Sequence, residues 1–199
     1  MTLLAILGAT LAGGVLSVLI AALLSMTVLR RIAGKLVGFA VGVLLAAALL
    51  ELLPEALVEL SAPRVDGVLL AGLLGFFFLE KIALWRHDHG GGSDATVTLI
   101  VLGDGVHNFV DGVLLAAAFT QDPALGLSTA AAVIAHEIPQ EIGDFMVLLA
   151  VGVGRARALA LNALSGAAMV AGGVMGFAAL QAVTGAVPYL LALAAASFL

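Results

Sequence analysis

The sequence predicts an all-α, polytopic transmembrane helix bundle, and three observations predict it. The chain of 199 residues is 63% hydrophobic and only 11% charged, with a mean hydropathy of +1.22. A soluble domain is about half apolar and roughly a quarter charged, so charges this sparse cannot cover a water-facing surface and the solvent for most of the chain is lipid. Apolar runs long enough to span recur along its length, and its basic residues cluster on alternate connections between them.

A span needs about 20 largely apolar residues. Such runs occur at 3–29, 36–60, 67–85, 95–120, 124–152 and 157–183, and a seventh begins at Pro188. The breaks are Arg30 to Lys35, Ser61 to Asp66, Arg86 to Asp94, Gln121 to Pro123 and Arg155 to Arg157. They are short, so consecutive helices should be antiparallel. The first run has no basic leader and is long enough to cross, so it reads as a span rather than a cleaved signal. From Pro188 to Leu199 there are 12 residues, about 18 Å of helix, too short for a hydrocarbon core about 30 Å thick. The expectation is one transmembrane transporter domain over 1–199, truncated at its C-terminus, with seven spans visible and the last incomplete.

Arg30, Arg31, Lys35, Lys81, Arg86, Arg155 and Arg157 fall on the odd-numbered connections, and Arg64 alone on the other side. Positive residues mark the cytoplasmic side, so the N-terminus is expected outside. The short-looped chain suggests a bacterial inner membrane. The absence of cysteine excludes disulfides, iron–sulfur clusters and thiolate metal sites. The net charge of -5 is modest and dispersed and suggests no nucleic-acid partner. Twenty-four glycines suit close helix packing in lipid. A short match, Ala12-Gly13-Gly14-Val15 and Ala171-Gly172-Gly173-Val174, is the one trace of an internal repeat.

Ionisable residues inside spans are costly and therefore point to function. In span four, Asp104, His107, Asn108 and Asp111 recur at spacings of three and four, within an arc of about 100°. In span five, His136, Glu137, Gln140, Glu141 and Asp144 fall within an arc of about 140°. Pro139 interrupts that helix's hydrogen bonding and frees a carbonyl near Ala135, which is tolerable beside a wet cavity. Imidazole, carboxylate and amide donors together suit borderline divalent cations such as zinc, iron(II) or manganese. A purely structural network between helices is the plainer alternative, but so many carboxylates without a cation would repel one another. Glu51 and Glu55, one turn apart around Pro54, face either the same pathway or the outer water. Asn162 and Ser165 either complete the site or bond between helices. Glu80 and Lys81 read as an interfacial ion pair, and His87, Asp88 and His89 as a solvated loop or a weak metal collector.

At these two helices the chain resembles the ZIP family of metal transporters. His107-Asn108-Phe109-Val110-Asp111-Gly112 matches its span-four motif, and His136-Glu137-Ile138-Pro139-Gln140-Glu141-Ile142-Gly143-Asp144 its span-five motif. Leu53-Pro54-Glu55-Ala56 and Phe78-Leu79-Glu80-Lys81 are similar to it as well. The resemblance implies eight helices in a 3+2+3 arrangement, both ends outside, and a binuclear metal site. By motif position, His107, Asp111, His136 and Gln140 would hold one ion, and Asn108, Asp111, Glu137 and Asn162 the second. It implies movement of zinc, or of iron(II), manganese or cadmium, towards the cytoplasm by an elevator or rocking motion, without ATP hydrolysis. Zinc is then substrate rather than cofactor, and the partners are the metal and the bilayer, with a homodimer as one assembly open to it. Position 111 is Asp where many members have Glu, and position 140 is Gln where relatives have His or Glu, which leaves the second ion and the choice of metal open.

Two rivals follow from the same residues. His136-Glu137-x-x-Gln140 is one residue from the zinc-protease pattern, but lacks the second imidazole and has Pro139 in its middle. A proton- or sodium-coupled carrier of an organic solute would use the carboxylates but gives no reason for the histidines. The chain has no P-loop, which argues against a primary pump.

The loop histidines supply the first test. The double variant His87→Ala/His89→Ala is expected to keep the metal-uptake rate of the parent in proteoliposomes, and a dead double variant would overturn the reading of that loop as dispensable.

Overall fold

The computed structural model describes residues 1–23, 35, 38–39, 41–88 and 93–199. Arg30 and Arg31, two of the charges used for orientation, and His89 lie outside the described residues, as do the ends of the first two spans that flank them. Every regular element described is helical. The first span is α1 (Thr2–Leu11), a π-helical turn (Ala12–Leu16) and α2 (Ser17–Leu23). The second ends in a π turn (Ala48–Leu52) and α3 (Leu53–Glu59). Then follow α4 (Ala62–Asp88), α5 (Ser93–Gln121), α6 (Pro123–Ala150), α7 (Arg155–Ala182), a 3-10 turn (Thr184–Ala186) and α8 (Val187–Phe198). Each of the seven apolar runs of the sequence thus coincides with a helical segment.

Among the described residues, four helices are long and apolar enough to cross a membrane: Thr2–Ile20, Val41–Glu59, Ile100–Gln121 and Arg155–Leu180. The 28 residues of α6 are as long as α7, but its polar stripe from His136 to Asp144 lowers its hydropathy. Large apolar side chains, among them Leu4, Leu23, Leu50, Val58 and Leu102, lie exposed. In lipid such a surface is solvated, and the protein is an integral, multi-pass membrane protein.

Local chemistry sets the turns. Asp122 caps α6, its side chain accepting from the backbone N–H of Ala124 at 2.8 Å and Leu125 at 3.1 Å, with Pro123 at the first helical position. α6 continues through Pro139. It ends at a turn where Gly152 has φ +92, a left-handed conformation that favours glycine.

Two groups of helices emerge. α5 packs along α7 more extensively than any other pair, both contact α1 and α6, and the first π turn packs on α6 and α7. α8 packs on α3, α4 and the second π turn, and meets the first group mainly through α5. Small residues let the first group approach backbone to backbone: a Cβ on Gly112 would run into the carbonyl of Met169, one on Gly172 into that of Phe109, and one on Gly14 into that of Gly166. Both copies of the short Ala-Gly-Gly-Val match therefore lie at helix contacts. Without a hydrophobic drive between helices in lipid, such close van der Waals contact is a main source of association.

The consequence is measurable. Gly112→Ala is expected to cost about 1–3 kcal/mol through overpacking against an unyielding backbone, lowering the melting temperature of the detergent-solubilised protein. Gly67→Ala, with nothing within 4 Å of the added carbon, should leave it unchanged; equal melting of the two variants would remove this account of the packing.

Candidate metal centre

α5 and α6 are antiparallel neighbours, and each presents its polar stripe to the other. Asn108 and Asp111 are fully buried, Asp104 is 6% exposed, and His107 stays half-buried. On α6, Glu137 and Glu141 are fully buried and His136 is 6% exposed. Helical spacing therefore did what it predicted on α5, placing all four polar residues towards the interior.

Four side chains, His107, Asp111, His136 and Glu137, each offer one donor atom to a common point, and those atoms lie within 4.8 Å of one another. His107 Nε2 is 3.3 Å from His136 Nε2, 3.8 Å from Asp111 Oδ2 and 3.7 Å from Glu137 Oε1. His136 Nε2 is 3.1 Å from Asp111 Oδ2 and 3.5 Å from Glu137 Oε1. Donors about 2.0–2.1 Å from a tetrahedral zinc stand about 3.3 Å apart. All five separations are within roughly half an ångström of that edge, so small side-chain shifts would let the group close on one ion. Both oxygens of Asp111 and of Glu137 are buried without a hydrogen-bond partner, an expensive arrangement for carboxylates unless a cation is to be bound.

His136 is held from behind. Its Nδ1 lies 3.1 Å from the carbonyl oxygen of Ala132. A carbonyl only accepts, so Nδ1 carries the proton and Nε2 turns its lone pair to the cluster. The ring of Phe198, from α8, meets the imidazole edge to face at a centroid distance of 5.8 Å. Neither partner was singled out in the sequence. Ala132 could have been found, being one turn before His136, but Phe198 lies 62 positions away with no pattern to mark it.

The other candidate residues are distributed differently. The amide nitrogen of Gln140 donates to Asp104 Oδ1 at 2.8 Å. Asn108 donates to the same oxygen at 3.0 Å and to the backbone oxygen of Asp104 at 3.2 Å. Glu141 has both carboxylate oxygens buried without a hydrogen bond of ordinary geometry, and Asp144 is half-buried. Asn162 donates to the backbone oxygen of Glu141 at 3.1 Å and so ties α7 to α6, whereas Ser165 donates back to Asn162 within α7 at 2.9 Å. Glu51 and Glu55 line a groove with Ser128 at the start of α6, eight residues or about 12 Å of helix from His136. There Gln121 donates to Glu55 at 3.1 Å and Glu59 at 3.2 Å. Lys81 sits over the ring of Phe77, 5.5 Å from its centroid.

A family model described as "ZIP Zinc transporter" matches residues 85–199, which include α5 through α8 and every residue of the cluster. The chain belongs to the ZIP family. Similar proteins include the zinc transporter ZIP10 of Danio rerio, 41% identical over 101 residues, covering 51% of this chain and 12% of that protein. Zinc transporter ZIP6 of Homo sapiens is 51% identical over 67 residues, 34% of this chain and 9% of the relative. Zinc transporter ZIP4 of Mus musculus is 50% identical over 74 residues, 37% and 11% respectively. The matched stretch thus spans about a tenth of these relatives' length. All three are animal proteins, which lends no support to the bacterial membrane expected from loop length.

Proposed function

We propose that this ZIP-family chain carries divalent metal cations across the membrane towards the cytoplasm, zinc foremost and iron(II), manganese or cadmium by the same donors. The observation that carries this reading is the buried group His107, Asp111, His136 and Glu137, two imidazoles and two carboxylates shared between adjacent helices of an apolar bundle. Borderline cations favour that mixture, and the absence of thiolate keeps the site weak enough to release its ion. The two carboxylates offset the charge of a cation stripped of water, and His136, fixed by Ala132, needs no reorganisation to donate. Relatives named as zinc transporters support zinc as substrate.

Alternating access would move the α1–α5–α6–α7 group, which carries the donors, against the group of α3, α4 and α8. The glycine contacts make the first group stiff, and its thinner contact with the second is where sliding would occur. His136, touched by Phe198 across that boundary, would sense the movement directly. The N-terminus would lie outside, Arg155 and Arg157 would mark the cytoplasmic end, and a homodimer remains the assembly proposed. Hydrolysis is not part of this reading: position 140 supplies an amide that is engaged with Asp104 rather than a second imidazole.

The test is zinc influx into proteoliposomes of the full-length protein without ATP. Saturable influx is expected, lost in His136→Ala and in Asp111→Ala while membrane insertion is kept. Normal influx by either variant would remove the site assignment. A parent protein inert to zinc, cadmium, iron(II) and manganese would remove the transport reading and favour the solute carrier.

A further inference from the structure

Below the four-donor group, towards the connection that carries Arg155 and Arg157, lies a second collection of polar side chains that the first does not use. Asp104 is one turn before Asn108 on α5, and Glu141 and Asp144 follow Glu137 on α6. Asp104 is 6% exposed; its Oδ1 accepts from both Gln140 and Asn108, and its Oδ2 is buried with no partner. Glu141 is fully buried; its oxygens make no hydrogen bond of ordinary geometry, and the Asn162 amide is the neutral group beside it. Asp104, Glu141 and Asp144 stand within electrostatic reach of one another. Among the described residues no Lys or Arg pairs with any of them.

We propose that Asp104, Glu141 and Asp144 form a separate cation station, one to two turns from the four-donor group on the Arg155 side, which takes up a partly hydrated divalent ion as it leaves the imidazoles. This rests on the transport reading for its place in a pathway, but not for its capacity to bind. Three features define its chemistry. All its donors are oxygens, so it suits harder cations better than the histidine group above it. Its carboxylates are not gathered as tightly as the four-donor group, so an ion there keeps water between itself and some of them and is held weakly, as a point of departure should be. Gln140 and Asn108 act as neutral clamps on Asp104: their amide N–H groups fix Oδ1 and leave Oδ2 facing the station. Position 140, where the chain departs from the family pattern, is thus accounted for here by what it holds in place, as a positioning residue.

Manganese(II) is the probe, read by electron paramagnetic resonance on the full-length protein in nanodiscs. With the upper group disabled by His136→Ala/Asp111→Ala, one weakly bound manganese is expected to remain. Adding Asp104→Asn and Glu141→Gln, together or singly, should weaken it at least tenfold, and Gln140→Ala by less. In the otherwise native protein, Asp104→Asn/Glu141→Gln should keep the cobalt(II) visible absorption of the four-donor group, which also reports a folded bundle. The station is overturned if the His136→Ala/Asp111→Ala protein binds no manganese, if the carboxylate variants bind as tightly as their parent, or if cobalt absorption vanishes with them, which would make the two groups one site. Manganese binding that follows this pattern in a protein that moves no zinc would keep the station and discard the transport reading.

Discussion

The structure depends on one electrostatic constraint: several carboxylates are buried in a bundle whose outer solvent is lipid, and among the described residues no lysine or arginine pairs with them. Asp111, Glu137 and Glu141 are fully buried and their oxygens lack hydrogen bonds. Leaving such charges uncompensated costs several kcal/mol each. The histidines beside Asp111 and Glu137 are the nearest polar groups, and they too are suited to giving a lone pair to a cation. A protein that only needed helices to adhere could have used serine or asparagine at about 1 kcal/mol per contact. The expense makes sense where a charged substrate crosses the same space.

Holding those groups in register requires a stiff frame, and the glycines of α5, α7 and the first π turn supply it. Gly112 lies directly after Asp111 and rests against the backbone of α7. The residue that donates to the cluster is thus adjacent to the one that fixes its helix. On the other side, the capped and proline-led start of α6 sets the phase of its stripe, so that His136 and Glu137 both reach α5. The bond from His136 to Ala132 and the ring of Phe198 then fix the imidazole itself. Position, phase and tautomer are set by three different kinds of interaction, each from a different part of the chain.

Much of this was legible in advance. The polar stripe on α5 was read from spacing alone, because a helix converts intervals of three and four into one face whatever surrounds it. The apolar runs were legible because length and apolarity are what lipid demands, whereas the break expected from Arg155 to Arg157 lies inside α7, the turn falling just before it at 151–154. The partition of donors on α6 was not. Motif position put Gln140 with His107, Asp111 and His136 and gave Glu137 to the second ion; in the structure the Glu137 carboxylate stands with those three, and the amide nitrogen of Gln140 donates to Asp104. Both residues lie on the inward arc, and which of them reaches a given point on α5 depends on the angle and offset between two helices. Glu51 and Glu55 likewise share a face that spacing could not assign to a depth, and they lie at the far end of α6 from His136.

The sequence by itself determined that this chain lives in lipid, that its apolar runs are helical where the structure describes them, and that two adjacent spans carry inward-facing imidazoles and carboxylates. Those properties follow from composition and from the period of the helix, which are local. Only the tertiary structure decided which four donors meet within 4.8 Å, that Asn108 and Gln140 converge on Asp104, and that a phenylalanine from α8 closes on His136. These depend on how far each rigid helix is shifted and rotated against its neighbours. That is fixed by backbone contacts at glycines scattered over three helices, and no single stretch of sequence records it.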